Sequence, residues 1–283
     1  MDNNTLTEYL SQGTENLIKN TLKNTLSNPK ESAFLISQMK YQSENAVKRK
    51  LSENNGIHIP VFLIASITTE CNLHCVGCYA RANGICFDEV KRLPLAKKEE
   101  RQMLTKTDWD KIFSEAESLG ISFILLAGGE PLLREDVIEA AVNHKRIIFP
   151  VFTNGTILSD KILKIFDEHR NLVPVVSAEG SHDETNLRRG AGTYEKIEAS
   201  VSVFEKNKIL YGVSFTVTKD NFQEVVSDEF LKRIAEKSVR IVFLIEYTAV
   251  DAKTKALELT AVERDILDKR LAVLKEKYNS IMF

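Results

Sequence analysis

The chain has 283 residues, of which 43% are hydrophobic and 28% charged, with a net charge of −2. That is the balance of a globular protein large enough to bury a core without disulfide staples. A near-neutral chain has no electrostatic pull towards nucleic acid or an anionic membrane.

The N-terminus, Met1-Asp2-Asn3-Asn4, is polar and has no signal-peptide pattern. The longest apolar run, 57–67, is broken by His58 and Pro60 and is too short for a bilayer. The chain therefore reads as cytoplasmic.

Residues 1–56 read as an N-terminal helical extension with a packing or capping role. Asn28-Pro29-Lys30-Glu31 gives a helix start: an Asn cap, Pro at the first helical position and Glu three residues after the cap. The helix is predicted to reach about Leu51, with Lys48, Arg49 and Lys50 where the helix dipole favours positive charge, and Asn54-Asn55-Gly56 stops it.

From residue 57 to 283 the pattern changes to a second unit. Apolar runs at 58–68, 121–127, 147–152, 173–178, 210–218 and 239–247 alternate with helical stretches at 107–119, 134–144, 159–169, 193–207, 225–237 and 260–278. Apolar strands separated by helices predict a parallel sheet with its outer face covered. Thr107-Asp108 and Ser159-Asp160 read as helix caps, and Gly120 as a stop. Six such units fall short of the eight in a closed barrel, so the expected fold is α/β, a partial (β/α)6 TIM-like barrel. The last residues, 279–283, read either as a short edge strand or as a strand at which a longer parent chain continues.

All four cysteines, Cys71, Cys75, Cys78 and Cys86, fall within sixteen residues. A disulfide framework would spread them; crowding in one loop after a strand reads as a metal or cluster site in a reducing compartment. Three thiolates spaced C-x3-C-x2-C can wrap one face of a cubane and leave one iron open. A zinc site completed by His74 or Cys86 is the alternative. Cys86 otherwise reads as a loop residue. His144, His169 and His182 show no metal-ligand spacing.

Cys71, Cys75 and Cys78, followed at once by aromatic Tyr79, resemble the signature of the radical SAM superfamily. The resemblance extends over residues 57 to about 250. It implies a [4Fe–4S] cluster on the three cysteines, with S-adenosylmethionine chelated to the open iron. Reductive cleavage then gives a 5′-deoxyadenosyl radical that takes hydrogen from a substrate. The substrate, a small molecule or a peptide, is not identified by these motifs. A flavodoxin or ferredoxin is the implied electron donor.

Further segments carry the resemblance. Gly128-Gly129-Glu130-Pro131, at the end of the second run, is similar to the family motif that holds the amino group of S-adenosylmethionine; a plain turn is the local alternative. Thr153-Asn154-Gly155 is either an Asn-Gly turn or the similar family segment. Ser177 and Glu179, then Arg188-Arg189-Gly190, resemble the segment in which a serine and an acidic residue lie near the ribose and an arginine lies near the carboxylate. Arg189 is the expected arginine and Arg188 the fallback; solvated loop charges are the alternative. With Tyr79, these are the expected cofactor-binding residues.

Glu246-Tyr247 closes the sixth run, with Glu246 expected either at the barrel mouth or in an ion pair. A C-terminal cysteine-rich domain with auxiliary clusters, common in relatives with this type of loop, has no counterpart after Cys86. The competing function class is a non-catalytic iron–sulfur or zinc module, an electron carrier or scaffold, which would need neither the Gly-Gly-Glu-Pro segment nor the Ser177/Glu179/Arg189 set.

Overall fold

The computed structural model describes residues 29–86, 103–278 and 281. The expected start of the extension, residues 1–28 with the Asn28 cap, and the end of the chain lie outside the described residues, apart from buried Ile281.

Helix α1 spans Pro29–Asn54, with Pro29 in its first position as the sequence predicts. Six strands follow: β1 Phe62–Thr68, β2 Phe123–Gly128, β3 Phe149–Thr153, β4 Leu172–Ala178, β5 Gly212–Val217 and β6 Ile241–Glu246. All pair in parallel, in chain order, so β1 and β6 are the two edges of an open half-barrel.

The helices between and after them are α2 Tyr79–Ala82, α3 Lys106–Leu119, α4 Glu135–Ala141, α5 Asp160–Glu168, α6 His182–Arg189, α7 Thr193–Lys206, α8 Phe222–Val225, α9 Asp228–Glu236 and, following β6, α10 Ala261–Lys277. The cap of α3 is Thr105 in a reciprocal box with Asp108, two residues before the expected Thr107, and Gly120 ends the helix at φ 84°. The expected helix at 225–237 is broken into α8 and α9, because Ser227 caps a new start. Helix α6 has no forerunner in the apolar pattern; its residues are almost all polar.

Strand alternation divides the side chains into two layers. Ile124, Leu126, Val151 and Val176 face outward and are fully buried under the helices. Phe113 of α3 packs edge-on against Phe149 at 5.0 Å, and Phe166 of α5 against Phe204 of α7 at 6.1 Å. Each such phenyl contributes about 1.5–3 kcal/mol by leaving water. Leu125, Phe152 and Phe243 point inward. Phe152 of β3 and Phe243 of β6 meet across the lumen at 5.0 Å and form its floor.

Helix α1 docks on the loops that feed β2 and β3. Gln38 donates to the carbonyl of Lys145, Asn45 to those of Ile121 and Arg146, Lys48 to that of Glu117, and Arg49 to that of Gly120. Lys48 and Arg49 thus serve the barrel's carbonyls rather than the end of their own helix. Among the described residues no helix is long and apolar enough to cross a membrane.

Candidate active site

The cysteine loop begins where β1 departs from regular pairing. Ser66 pairs with Ala127 and Thr68 with Gly128, leaving Ile67 as a bulge. Bulges re-aim a strand at its end, and here the chain turns into Cys71. The turn is closed by two backbone bonds from the next strand: Gly129 N–H donates to the Thr68 carbonyl at 2.9 Å, and Glu130 N–H to the Glu70 carbonyl at 2.7 Å.

These bonds require glycine at both positions. A Cβ on Gly128 would lie 2.4 Å from the Thr68 oxygen, and one on Gly129 would lie 2.0 Å from the Glu70 oxygen. The close approach that the sequence suggests is therefore made to the backbone of the cysteine loop.

Three further anchors hold the loop. Arg81 donates to the Leu73 carbonyl at 2.6 and 2.9 Å and to the Cys71 carbonyl at 3.2 Å. Asn72 bonds to Asn154 and Thr156 after β3. The Val76 amide donates to the Arg188 carbonyl at 2.8 Å.

So held, Cys71, Cys75 and Cys78 are half-buried and line one cavity of about 610 Å³ at the C-terminal ends of the strands. That is the end at which barrel enzymes place their chemistry. Gly128, Gly129, Glu130, Ser177 and Arg189 line the same cavity. Tyr79 also lines it, with much of its ring exposed.

The Cys86 thiol beside Cys71 pulls the Cys71 thiol down to about 6, helped by the Leu73 amide and the Arg81 guanidinium. A thiol near that value is largely thiolate at neutral pH and ready to bind metal. Burial pushes Cys75 up. Cys86 is buried, and its hydrogen bond to Cys71 pushes its own thiol upward. It is therefore a partner of a loop cysteine and not the simple loop residue that the sequence suggests.

Glu130 is 1% exposed. Its carboxylate accepts from Thr153 Oγ1 at 2.7 Å, Leu132 N at 3.1 Å and Asn154 N at 2.7 Å, tying the end of β2 to the end of β3. Burial nevertheless raises it to about 7, because desolvation outweighs these donors.

On the far wall, Glu179 is also 1% exposed and holds both arginines of α6. Its Oε1 accepts from Arg188 Nη1 at 2.5 Å and from Arg189 Nε at 2.6 Å. Glu179 Oε2 and Arg188 Nε are buried and have no protein partner. Ser177 accepts a bond from Ser214 at 3.0 Å. Glu246 sits on the cavity rim and pairs with Arg264, so both of its expected positions are combined.

Sequence reasoning passes over Asn72, Thr216 and Tyr247 as lining or bracing groups. The first has no signal beyond its place in the loop. The other two stand at strand ends, and the alternation of inward positions on β5 and β6 points to Thr216 and Tyr247.

The donor set fits a cluster. Three thiols surround a cavity that also holds buried polar atoms without partners. Among the described residues, no three His, Cys, Asp or Glu side chains converge closely enough for a single metal ion. A cubane spreads its irons and takes one thiolate on each.

The sequence model of the radical SAM superfamily matches residues 65–231. The chain belongs to the radical SAM superfamily. That family's cofactors are a [4Fe–4S] cluster and S-adenosylmethionine.

Among curated relatives, the AdoMet-dependent heme synthase of Methanosarcina barkeri is 28% identical over 191 residues, covering 66% of this chain and 51% of the synthase. The GTP 3′,8-cyclase of Clostridium perfringens is 23% identical over 220 residues, covering 76% of this chain and 64% of the cyclase. The chain thus spans about half the length of the first of these radical SAM relatives and under two thirds of the second. The solved structure of Streptococcus suis SuiB bound to S-adenosylmethionine superposes with a TM-score of 0.64 at 17% identity, covering 96% of this chain and 60% of SuiB. That likeness shows the shared half-barrel fold.

Proposed function

We propose that residues 57–283 form the core of a radical SAM enzyme in which Cys71, Cys75 and Cys78 ligate a [4Fe–4S] cluster that cleaves S-adenosylmethionine. The observation that carries the reading is one cavity bordered by three thiols, by the glycine pair Gly128-Gly129 and by the arginines held on Glu179. An electron carrier needs the thiols alone. When bound, the cluster and S-adenosylmethionine together supply a 5′-deoxyadenosyl radical that abstracts hydrogen from substrate.

The protein's part is ligation, orientation and exclusion of water. Gly128 and Gly129 set the loop's path and leave the β2 end open to the amino group. Glu130 fixes the strand ends against each other. Ser177 and the free Oε2 of Glu179 offer acceptors to ribose hydroxyls. Arg189, with Arg188 beside it, offers a guanidinium to the carboxylate. Tyr79 stands at the rim, where the adenosyl group would pass.

The names of the relatives span heme, nucleotide and protein chemistry. What they share with this chain is the core, and we assign it an unidentified small-molecule or peptide substrate. The setting is cytoplasmic and reducing, with a flavodoxin or ferredoxin as electron donor.

Anaerobic reconstitution with iron and sulfide, reduction, addition of S-adenosylmethionine and assay of 5′-deoxyadenosine test the proposal. Product that disappears in Cys75→Ala is the expected result. A loaded cluster without product would favour the non-catalytic module, and zinc taken up in place of iron would overturn the reading.

A further inference from the structure

Strands β1 and β6 do not pair with each other, so no backbone ladder joins the loop after the first strand to the end of the last. One side chain makes that connection. Tyr247 follows β6, and its amide continues the ladder by donating to the Val217 carbonyl at 3.0 Å. Its side chain is 4% exposed and turns across the cavity onto the cysteine loop.

The point of contact is Gly77, between Cys75 and Cys78. A Cβ there would stand 2.3 Å from the Tyr247 hydroxyl oxygen and 2.9 Å from its Cζ, and the backbone is left-handed at φ +67°. The phenol therefore lies flush on the turn with no room for another side chain. From the other side Arg188 receives the Val76 amide, and its guanidinium stands 6.0 Å from the Tyr247 ring centroid. The turn carrying two of the three thiols is thus held between α6 and Tyr247.

The hydroxyl oxygen is buried and has no partner in the protein. Buried polar groups are ordinarily paired. A phenylalanine would brace the loop equally well without that cost, so the hydroxyl points to a partner supplied by the occupant of the cavity.

We infer that Tyr247 is a positioning residue for the cysteine loop, bracing Gly77 with its ring and donating its hydroxyl hydrogen bond to a sulfur of the cluster held there. The second half rests on the proposed function; the first does not.

Hydrogen–deuterium exchange on the cluster-free chain tests the brace. Tyr247→Leu should raise exchange in the peptide covering 71–80 about tenfold, with peptides of β3 and β4 unchanged as evidence of folding. Tyr247→Phe should match the wild-type chain. If the Leu variant does not fold, Tyr247→Met takes its place. Unchanged exchange in the folded variant would overturn the brace.

The hydroxyl is tested on the reconstituted chain by redox titration followed by electron paramagnetic resonance. Tyr247→Phe should load iron as the wild type does and show a more negative midpoint potential, since hydrogen bonds to cluster sulfurs raise it. An unchanged midpoint would overturn the hydroxyl's role. A wild-type chain that takes up no cluster would sink the proposed function and the hydroxyl's role together, while the exchange result still decides the brace.

Discussion

The side-chain amide of Asn154 donates to the side-chain carbonyl of Asn72 at 2.8 Å. The two residues are joined again through Thr156, which receives a bond from Asn72 at 2.9 Å and donates to Asn154 at 2.7 Å. The turn after β3 is thereby fastened to the cysteine loop after β1, although β2 lies between them. Replacing Asn154 by Ala removes the acceptor for the Thr156 amide and hydroxyl and the donor for Asn72. Each of the three bonds is worth about 0.5–1.5 kcal/mol net, so a loss of about 1.5–4.5 kcal/mol is expected in urea unfolding of the cluster-free chain. Asn72→Ala should cost less because Asn72 is exposed. A double variant whose loss equals the sum of the two would show that the fastening is not shared.

Gly129→Ala places a methyl group 2.0 Å from the Glu70 carbonyl. Backbone must move, which costs about 1–3 kcal/mol by the usual measure of overpacking. The loop is what moves, so iron bound per chain should fall more steeply than stability. Iron analysis beside thermal unfolding separates the two, and normal iron content would contradict the nesting of the two backbones.

Glu130 links stability to pH. Its folded value of about 7 lies above the ordinary value of 4.5, so between them the folded chain holds a proton that the unfolded chain has lost. The contribution is fully present below about 4.5, declines as pH rises, and is gone above about 7. The span corresponds to at most about 3 kcal/mol. Glu130→Gln does not titrate, so its deficit relative to wild type should be larger at pH 5 than at pH 8. Urea unfolding across that range measures it, and a deficit that grows with pH would contradict the assignment.

Glu179 shares one carboxylate between two guanidiniums. Glu179→Ala leaves buried Arg189 and half-buried Arg188 without their anion, and a loss of about 3–5 kcal/mol is expected. Glu179→Asp keeps the charge but shortens the reach, and should hold one arginine and release the other. Thermal unfolding ranks the three, with Asp between the wild type and Ala.

Much of the barrel is legible in the sequence because burial on both faces leaves strands such as 172–176 with unbroken apolar runs. The thiol spacing is equally plain, since it is local. What escapes is non-local or polar. Helix α6 carries no apolar stripe, so its arginines read as loop charges until Glu179 is found beneath them. Gly128 and Gly129 show that a backbone comes close without showing which one. Cys86 reads as ordinary because nothing in its neighbours foretells that the chain folds back onto Cys71. Tyr247 is visible as an inward position at the end of a strand, but its contact with Gly77 is not.

Strand order equal to chain order has a consequence for how the site is assembled. Each strand can join the edge left by the one before it, so the sheet can grow from the N-terminal side as the chain is made. The three thiols arrive with the first strand, and their glycine support arrives with the second. The arginines come after the fourth, and the phenol on Gly77 comes only after the sixth. The loop that is synthesised first is therefore the last part of the sheet's mouth to be locked, and a chain halted before Tyr247 would carry its thiols on a turn held from one side only.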